Sequence, residues 1–128
     1  MRALFVCVEN SCRSQMAEGF ARALGGAGVE AWSAGSRPSG RVDERAIALM
    51  KEKGIDLGAH RSKGLDALPA GSWDVVVTMG CGDACPSVPA ARRLDWALPD
   101  PKGLPDAGFR AVRDQIAARV KALLTEPA

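Results

Sequence analysis

The chain lacks most of the features that would assign it elsewhere. Seventeen basic residues against fifteen acidic ones leave a net charge of +2, with the charges scattered singly, so there is no basic stripe of the kind that tracks a nucleic-acid backbone. No apolar run is long enough for a membrane span, and the short apolar start passes straight into polar residues, unlike a signal peptide. A cytoplasmic protein is expected. There is a single histidine, His60, and the four cysteines stand as Cys-x4-Cys and Cys-x3-Cys pairs, not at the usual Cys-x2-Cys zinc spacing. No metal site is expected. Composition shifts, linkers, repeats and low-complexity tracts are also missing, so residues 1–128 read as one domain, with enough apolar residues (47%) for its own core.

What is present is an alternation of strand and helix signals. Residues 2–7 read as a buried strand, 14–24 as a helix with an apolar stripe at Met16, Phe20 and Leu24, closed by Gly25-Gly26, and 29–34 as a second strand. Asp43 reads as the N-cap of a helix through Lys53, with Ala46, Ile47 and Met50 on one face. The β-branched run 75–79 predicts a central parallel strand, and 94–96 a weaker strand. Phe109, Val112, Ile116, Val120 and Leu123 predict a C-terminal helix. The pattern predicts an α/β fold: a four-stranded parallel sheet with helices on both faces, whose ligands sit beyond the carboxyl ends of the strands.

Cys7 and Cys81 both fall just past such ends. Cys7 opens the order strand, Cys-x5-Arg-Ser, helix. Backbone amides of such a loop and the positive end of the following helix converge on one point, which suits an oxyanion and stabilises a negative sulfur. Cys7 is the candidate nucleophile, the loop residues Val8, Glu9, Asn10, Ser11 and Cys12 shape the binding site, and Arg13 adds a planar fork for two oxygens. Asn10 tolerates a left-handed backbone. Ser14 is either an ordinary helix N-terminal residue or a hydroxyl donor to the sulfur, roles that are compatible. Glu9 would repel an anion and is expected to face solvent. Cys12 carries a weaker signal and can be a simple packing residue.

A leaving oxygen needs a proton from a carboxylic acid on the opposite side. Asp100, stiffened by Pro101 in the loop after strand 94–96, is the leading candidate; Asp83, Asp95 and Asp106 compete, Asp106 being a natural cap for the last helix. Cys81 and Cys85 flank a glycine-containing segment and could lie one helical turn apart. Three readings stay open for them: disulfide exchange with the nucleophile, simple packing, or capture of a soft metal.

The run Cys7-Val8-Glu9-Asn10-Ser11-Cys12-Arg13-Ser14-Gln15-Met16-Ala17-Glu18-Gly19, with Ser33-Ala34-Gly35, the Val-Val-Val-Thr-Met-Gly-Cys segment and Asp100-Pro101, resembles the thioredoxin-coupled arsenate reductases, which share the low-molecular-weight protein tyrosine phosphatase fold. The resemblance implies that Cys7 attacks arsenate, Arg13 binds its oxygens and Asp100 protonates the departing hydroxyl. It further implies that Cys81 attacks Cys7 to release arsenite and that Cys85 resolves the product, leaving a Cys81–Cys85 disulfide. No tightly bound cofactor is implied; thioredoxin, or a mycothiol- or glutaredoxin-linked system, would supply electrons. Arsenate and a small redox protein are the implied partners, with no nucleic acid and no membrane.

Three departures from the family stand out. The redox cysteines are unusually close, with only three residues between them, and Val8-Glu9 replaces smaller loop residues. Some relatives bind potassium with a set matching Asn10, Glu18, Ser33 and an acidic residue after His-x-Ser. Here the stretch is His60-Arg61-Ser62-Lys63, so an ammonium replaces the ion's charge and no potassium dependence is expected. The chief alternative function is a phosphatase acting on phosphotyrosine or small phosphoesters through the same three residues. Against it, the chain has no tyrosine and carries Lys102 after Asp-Pro, where such phosphatases commonly place an aromatic. A non-enzymatic arsenite or metal binder would leave Arg13 and Asp100 without a role.

Overall fold

A computed structural model describes residues 1–79 and 88–125. Cys81, Asp83 and Cys85 therefore lie outside the described residues. Along the chain run β1 (Arg2–Val6), α1 (Arg13–Gly25), β2 (Glu30–Ala34), α2 (Glu44–Lys51), β3 (Trp73–Thr78), β4 (Ala90–Asp95) and α3 (Asp106–Thr125), with short 3-10 helices at Leu65–Ala67 and Pro101–Gly103. The four strands are all parallel, in the order β2-β1-β3-β4. The parallel sheet is as expected, with β3 in a central place. This follows from burial on both faces, which favours a continuous β-branched run over alternation.

Alternate residues of β1 feed two apolar clusters. Ala3 and Phe5 face a core built with Met16, Ala17 and Phe20 of α1, Ala46, Leu49 and Met50 of α2, and the full predicted stripe of α3. Leu4 and Val6 face Trp73 and Val76, covered by Leu65 and Leu68 around a 3-10 helix. Each fully buried Phe, Ile or Met side chain contributes roughly 1.5–3 kcal/mol.

Three expectations shift. β4 begins at Ala90 instead of 94 because, as an edge strand, it keeps most of Ala90–Leu94 half-buried or exposed and so carries no hydrophobic signature. Leu24 leaves the α1 stripe and is 54% exposed, since the helix ends one residue later and its last turn clears the core. Asp106 sits within the first turn of α3, where its carboxylate accepts from Arg45. Asp43 does cap α2, accepting from the amides of Arg45 and Ala46. Among the described residues, no helix is long and apolar enough to cross a membrane.

Candidate active site

The loop between β1 and α1 is held by its carbonyls. Val8 O accepts from Arg37 N at 2.8 Å, Glu9 O from Ser39 N at 3.1 Å and Ser62 Oγ at 2.8 Å, and Ser11 O from Asp43 N at 2.9 Å. With the carbonyls engaged from outside, the amides of residues 8–12 have no protein acceptor among the described residues. A curl of uncommitted N–H donors at the start of a helix is an anion cradle. Asn10 provides its bend, with φ of +51°. Gly35 permits the close approach of β2: a Cβ there would stand 2.4 Å from Val8 O and 2.8 Å from Cys7 O.

Cys7 lies at the floor, 4% exposed, with its Sγ 2.9 Å from Ser14 Oγ. The direction of that bond follows from the network behind it. The backbone N–H of Lys63 can only donate, and it meets Asn10 Oδ1 at 2.9 Å, which turns Asn10 Nδ2 toward Ser14 Oγ at 2.8 Å. Ser14 therefore accepts from Asn10 and offers its own hydrogen to the sulfur. Of the two compatible roles open to Ser14, the geometry shows a hydroxyl donor to the Cys7 sulfur. Gln15 extends the network: its Nε2 donates to Asn10 Oδ1 at 2.9 Å and Arg61 O at 2.8 Å, leaving Oε1 to accept from His60 Nδ1 at 3.0 Å. Burial holds His60 below the usual histidine range despite the opposing charge of Glu18. Gln15 was not singled out from sequence, since its partners lie up to 46 residues away.

Behind this layer Glu18 is 3% exposed and fully engaged. Ser33 Oγ donates to it at 2.5 Å, Arg22 Nη2 pairs with it at 2.9 Å, and Lys63 Nζ stands 3.6 Å away. Lys63 also reaches Ser33 Oγ at 3.5 Å and Arg61 O at 3.4 Å, so its ammonium stands among the oxygens of Glu18, Ser33 and Arg61. Burial lowers the Lys63 pKa, against the pull of Glu18. Among the described residues, no group of three or more His, Cys, Asp or Glu side chains is placed to hold a metal ion.

A cleft of about 350 Å³ opens over the sulfur, lined by Cys7, Val8, Glu9, Ser11, Cys12, Arg13, Asp100 and Lys102. The loop residues and Asp100 thus meet at one place. Arg13 is anchored through Nη1, which donates to Met79 O at 2.6 Å and Leu98 O at 2.9 Å, while its Nε and Nη2 have no protein partner among the described residues. That free edge is the fork an oxyanion needs. Asp100 caps the Pro101–Gly103 turn, accepting from Lys102 N at 3.1 Å. Of its competitors, Asp95 instead accepts from Thr78 Oγ1 at 2.7 Å and Asp106 faces Arg45. Glu9 points outward as expected and pairs with the Lys102 ammonium. Burial, then the nearby Asp43 carboxylate, pushes the Cys12 thiol up to about 12, so Cys12 stays protonated and serves as packing.

Comparison with known proteins gives this geometry a context. Over 128 residues, the chain is 41% identical to the glutaredoxin arsenate reductase of Synechocystis sp., covering 98% of this chain and 97% of that one. A solved structure of an arsenate reductase in the phosphate binding state superposes with a TM-score of 0.88 at 42% identity, over 96% and 95% of the two chains. The thioredoxin-dependent arsenate reductase of Corynebacterium glutamicum gives 0.79 at 33% identity, over 95% of this chain and 59% of that one. Residues 2–127 match the family model for low molecular weight phosphotyrosine protein phosphatase, and the chain belongs to that family.

Proposed function

We propose that this protein reduces arsenate to arsenite by a cysteine relay, as part of arsenic detoxification. The observation that carries the reading is the Cys7 sulfur beneath a curl of uncommitted amides, with the free edge of Arg13 beside it and Asp100 on the same cleft. The near full-length relatives described above, arsenate reductases by name, support the choice of substrate.

In the first step the Cys7 thiolate attacks arsenic. A sulfur–arsenic bond forms as an arsenic–oxygen bond breaks, and the Asp100 proton departs with that oxygen as water. The loop amides and Arg13 carry the charge of the remaining oxygens. The Cys81 thiolate then attacks the Cys7 sulfur: a disulfide forms, the sulfur–arsenic electron pair stays on arsenic, and As(V) leaves as As(III). Cys85 next displaces Cys7 from Cys81, and an external dithiol reduces the resulting Cys81–Cys85 disulfide. Thioredoxin is the donor proposed first; the name of the Synechocystis relative makes a glutaredoxin system the next to try, with mycothiol beside it.

The test is arsenate-dependent NADPH oxidation with thioredoxin and thioredoxin reductase, with glutaredoxin and mycothiol systems run in parallel. Cys81→Ser or Cys85→Ser should each abolish multiple turnover and leave anion binding intact. Full turnover by either variant would remove the relay as drawn.

The second reading, a phosphatase, rests on the family model and on the fact that Cys7, Arg13 and Asp100 serve phosphoryl transfer equally well. Robust phosphatase turnover in a Cys81→Ser/Cys85→Ser protein, with no arsenate reduction by the wild type, would favour it.

A further inference from the structure

Asp100 sits in a stretch with little regular pairing of its own. Pro99, Pro101 and Pro105 supply no N–H, and the internal support consists of the Leu104 N to Pro101 O bond at 3.0 Å and the turn that Asp100 accepts from Lys102. Three carbonyls of this stretch are collected by one side chain from another part of the fold. Arg45, in the first turn of α2, donates through Nη1 to Leu104 O at 2.7 Å and through Nη2 to Lys102 O at 2.9 Å and Pro101 O at 3.2 Å. Its Nη1 also meets Asp106 Oδ1 at 3.3 Å, and the guanidinium lies over the Phe109 ring, 4.7 Å from the centroid. Three of the four residues after Asp100 are thus tied to a single planar group.

The same end of α2 is tied to the nucleophile loop. Asp43 N donates to Ser11 O at 2.9 Å, while the Asp43 carboxylate caps the helix through the amides of Arg45 and Ala46 at 2.9 and 3.2 Å. One helical turn therefore grips both loops of the cleft, the anion loop through its backbone and the Asp100 loop through Arg45. We propose that Arg45 is a positioning residue, which sets the Asp100 carboxyl at its working distance from the Cys7 sulfur. The proposal rests on the reading of Asp100 as the general acid. Arg45 does not line the cleft over the sulfur. It acts through the turn that carries Asp100, and a lysine, whose three donors radiate from one atom, does not reproduce the span of the planar fork that reaches these carbonyls.

The experiment is a double-mutant cycle on kcat/KM for arsenate, using wild type, Arg45→Ala, Asp100→Asn and the pair, with thermal melts to verify folding at the assay temperature. General acids contribute about 10²- to 10⁴-fold. Arg45→Ala should therefore cost about tenfold or more alone and less than about twofold in the Asp100→Asn background, with Arg45→Lys in between. If Arg45→Ala does not fold, Arg45→Lys and Arg45→Gln are taken through the same cycle. An equal cost in both backgrounds, or no cost at all, overturns the positioning role while leaving Asp100 as the acid. Wild-type kcat/KM in Asp100→Asn alone overturns the acid assignment and the proposal with it.

Discussion

The Lys102 ammonium is ion-paired with the Glu9 carboxylate, and the two residues come from opposite rims of the cleft over Cys7. Burial pulls the Lys102 pKa down, but the Glu9 carboxylate, together with other acidic groups nearby such as Asp100, holds it above the usual lysine range, so the ammonium stays charged near neutrality. It gives the entrance a charged rim where an aryl-ester phosphatase needs an aromatic one.

Because the pair is partly exposed, its effect on binding should be modest and sensitive to salt. Lys102→Met leaves Glu9 uncompensated beside an incoming dianion and should raise the arsenate KM about threefold to tenfold, while Glu9→Gln should lower it by a smaller factor. Both shifts should shrink from about 0.01 to about 1 M ionic strength, where the Debye length falls from about 30 to about 3 Å. Steady-state KM values across that range decide it. Salt-independent shifts, or shifts of the same sign in both variants, would contradict an electrostatic role.

A second charged cluster governs stability in acid. Glu52, just after α2, accepts from Arg110 Nε at 3.0 Å and from the buried Arg113 at 2.6 Å, so it joins α2 to α3. The hydrogen bond from Arg110 and then that from Arg113 lower its pKa from 4.5 to about 2. A depressed carboxylate stabilises the fold above its unfolded pKa and loses that contribution as pH falls through the folded value. Glu52→Gln should therefore melt below wild type at pH 7, and the gap should close between about pH 4.5 and about pH 2. A gap that persists at the acid end would assign the loss to packing instead.

Strongly patterned segments were legible in the sequence and long-range polar contacts were not. The β-branched run of β3 and the five-residue stripe of α3 carry their own periodicity, so their place in the core follows from local order. The anion loop was legible for a similar reason: strand, Cys-x5-Arg and helix are contiguous. The first part of β4, before Leu94, escaped because an edge strand with Arg92 and Arg93 has no apolar period to read. Arg45 and Gln15 escaped because their roles depend on partners about 45 to 60 residues away, and nothing in a helix's own spacing says which carbonyls it will meet.

Lys63 makes a testable point about ions. Its ammonium already stands among Glu18, Ser33 and the Arg61 carbonyl, so exchanging sodium for potassium should change kcat/KM for arsenate by less than about twofold. Lys63→Met removes a cation from a carboxylate that is 3% exposed, yet Glu18 keeps Arg22 and Ser33; a loss of about 1–3 kcal/mol is expected in denaturant unfolding. A clear rise in wild-type efficiency with potassium would show that the ammonium does not fill the site.

The shape of the anion loop depends on the absence of one methyl group. A Cβ on Gly35 would stand 2.4 Å from Val8 O, 2.8 Å from Cys7 O and 2.9 Å from Asn10 N, all of them backbone atoms that cannot swing aside. Gly35 cannot retreat either, because its own amide donates to Lys63 O at 2.9 Å. Gly35→Ala must therefore displace the loop at the point where its amides converge, at about 1–3 kcal/mol of strain. Inorganic phosphate, as a tetrahedral stand-in for arsenate, should stabilise the wild type by RT ln(1 + [L]/Kd) and raise its Tm. In Gly35→Ala the phosphate-dependent rise should be lost, with calorimetric affinity down by about tenfold or more, since each donor pulled out of line forfeits a charge-assisted hydrogen bond. An equal rise in both proteins would mean that the loop accommodates the methyl group and that the close approach of β2 does not set its curvature.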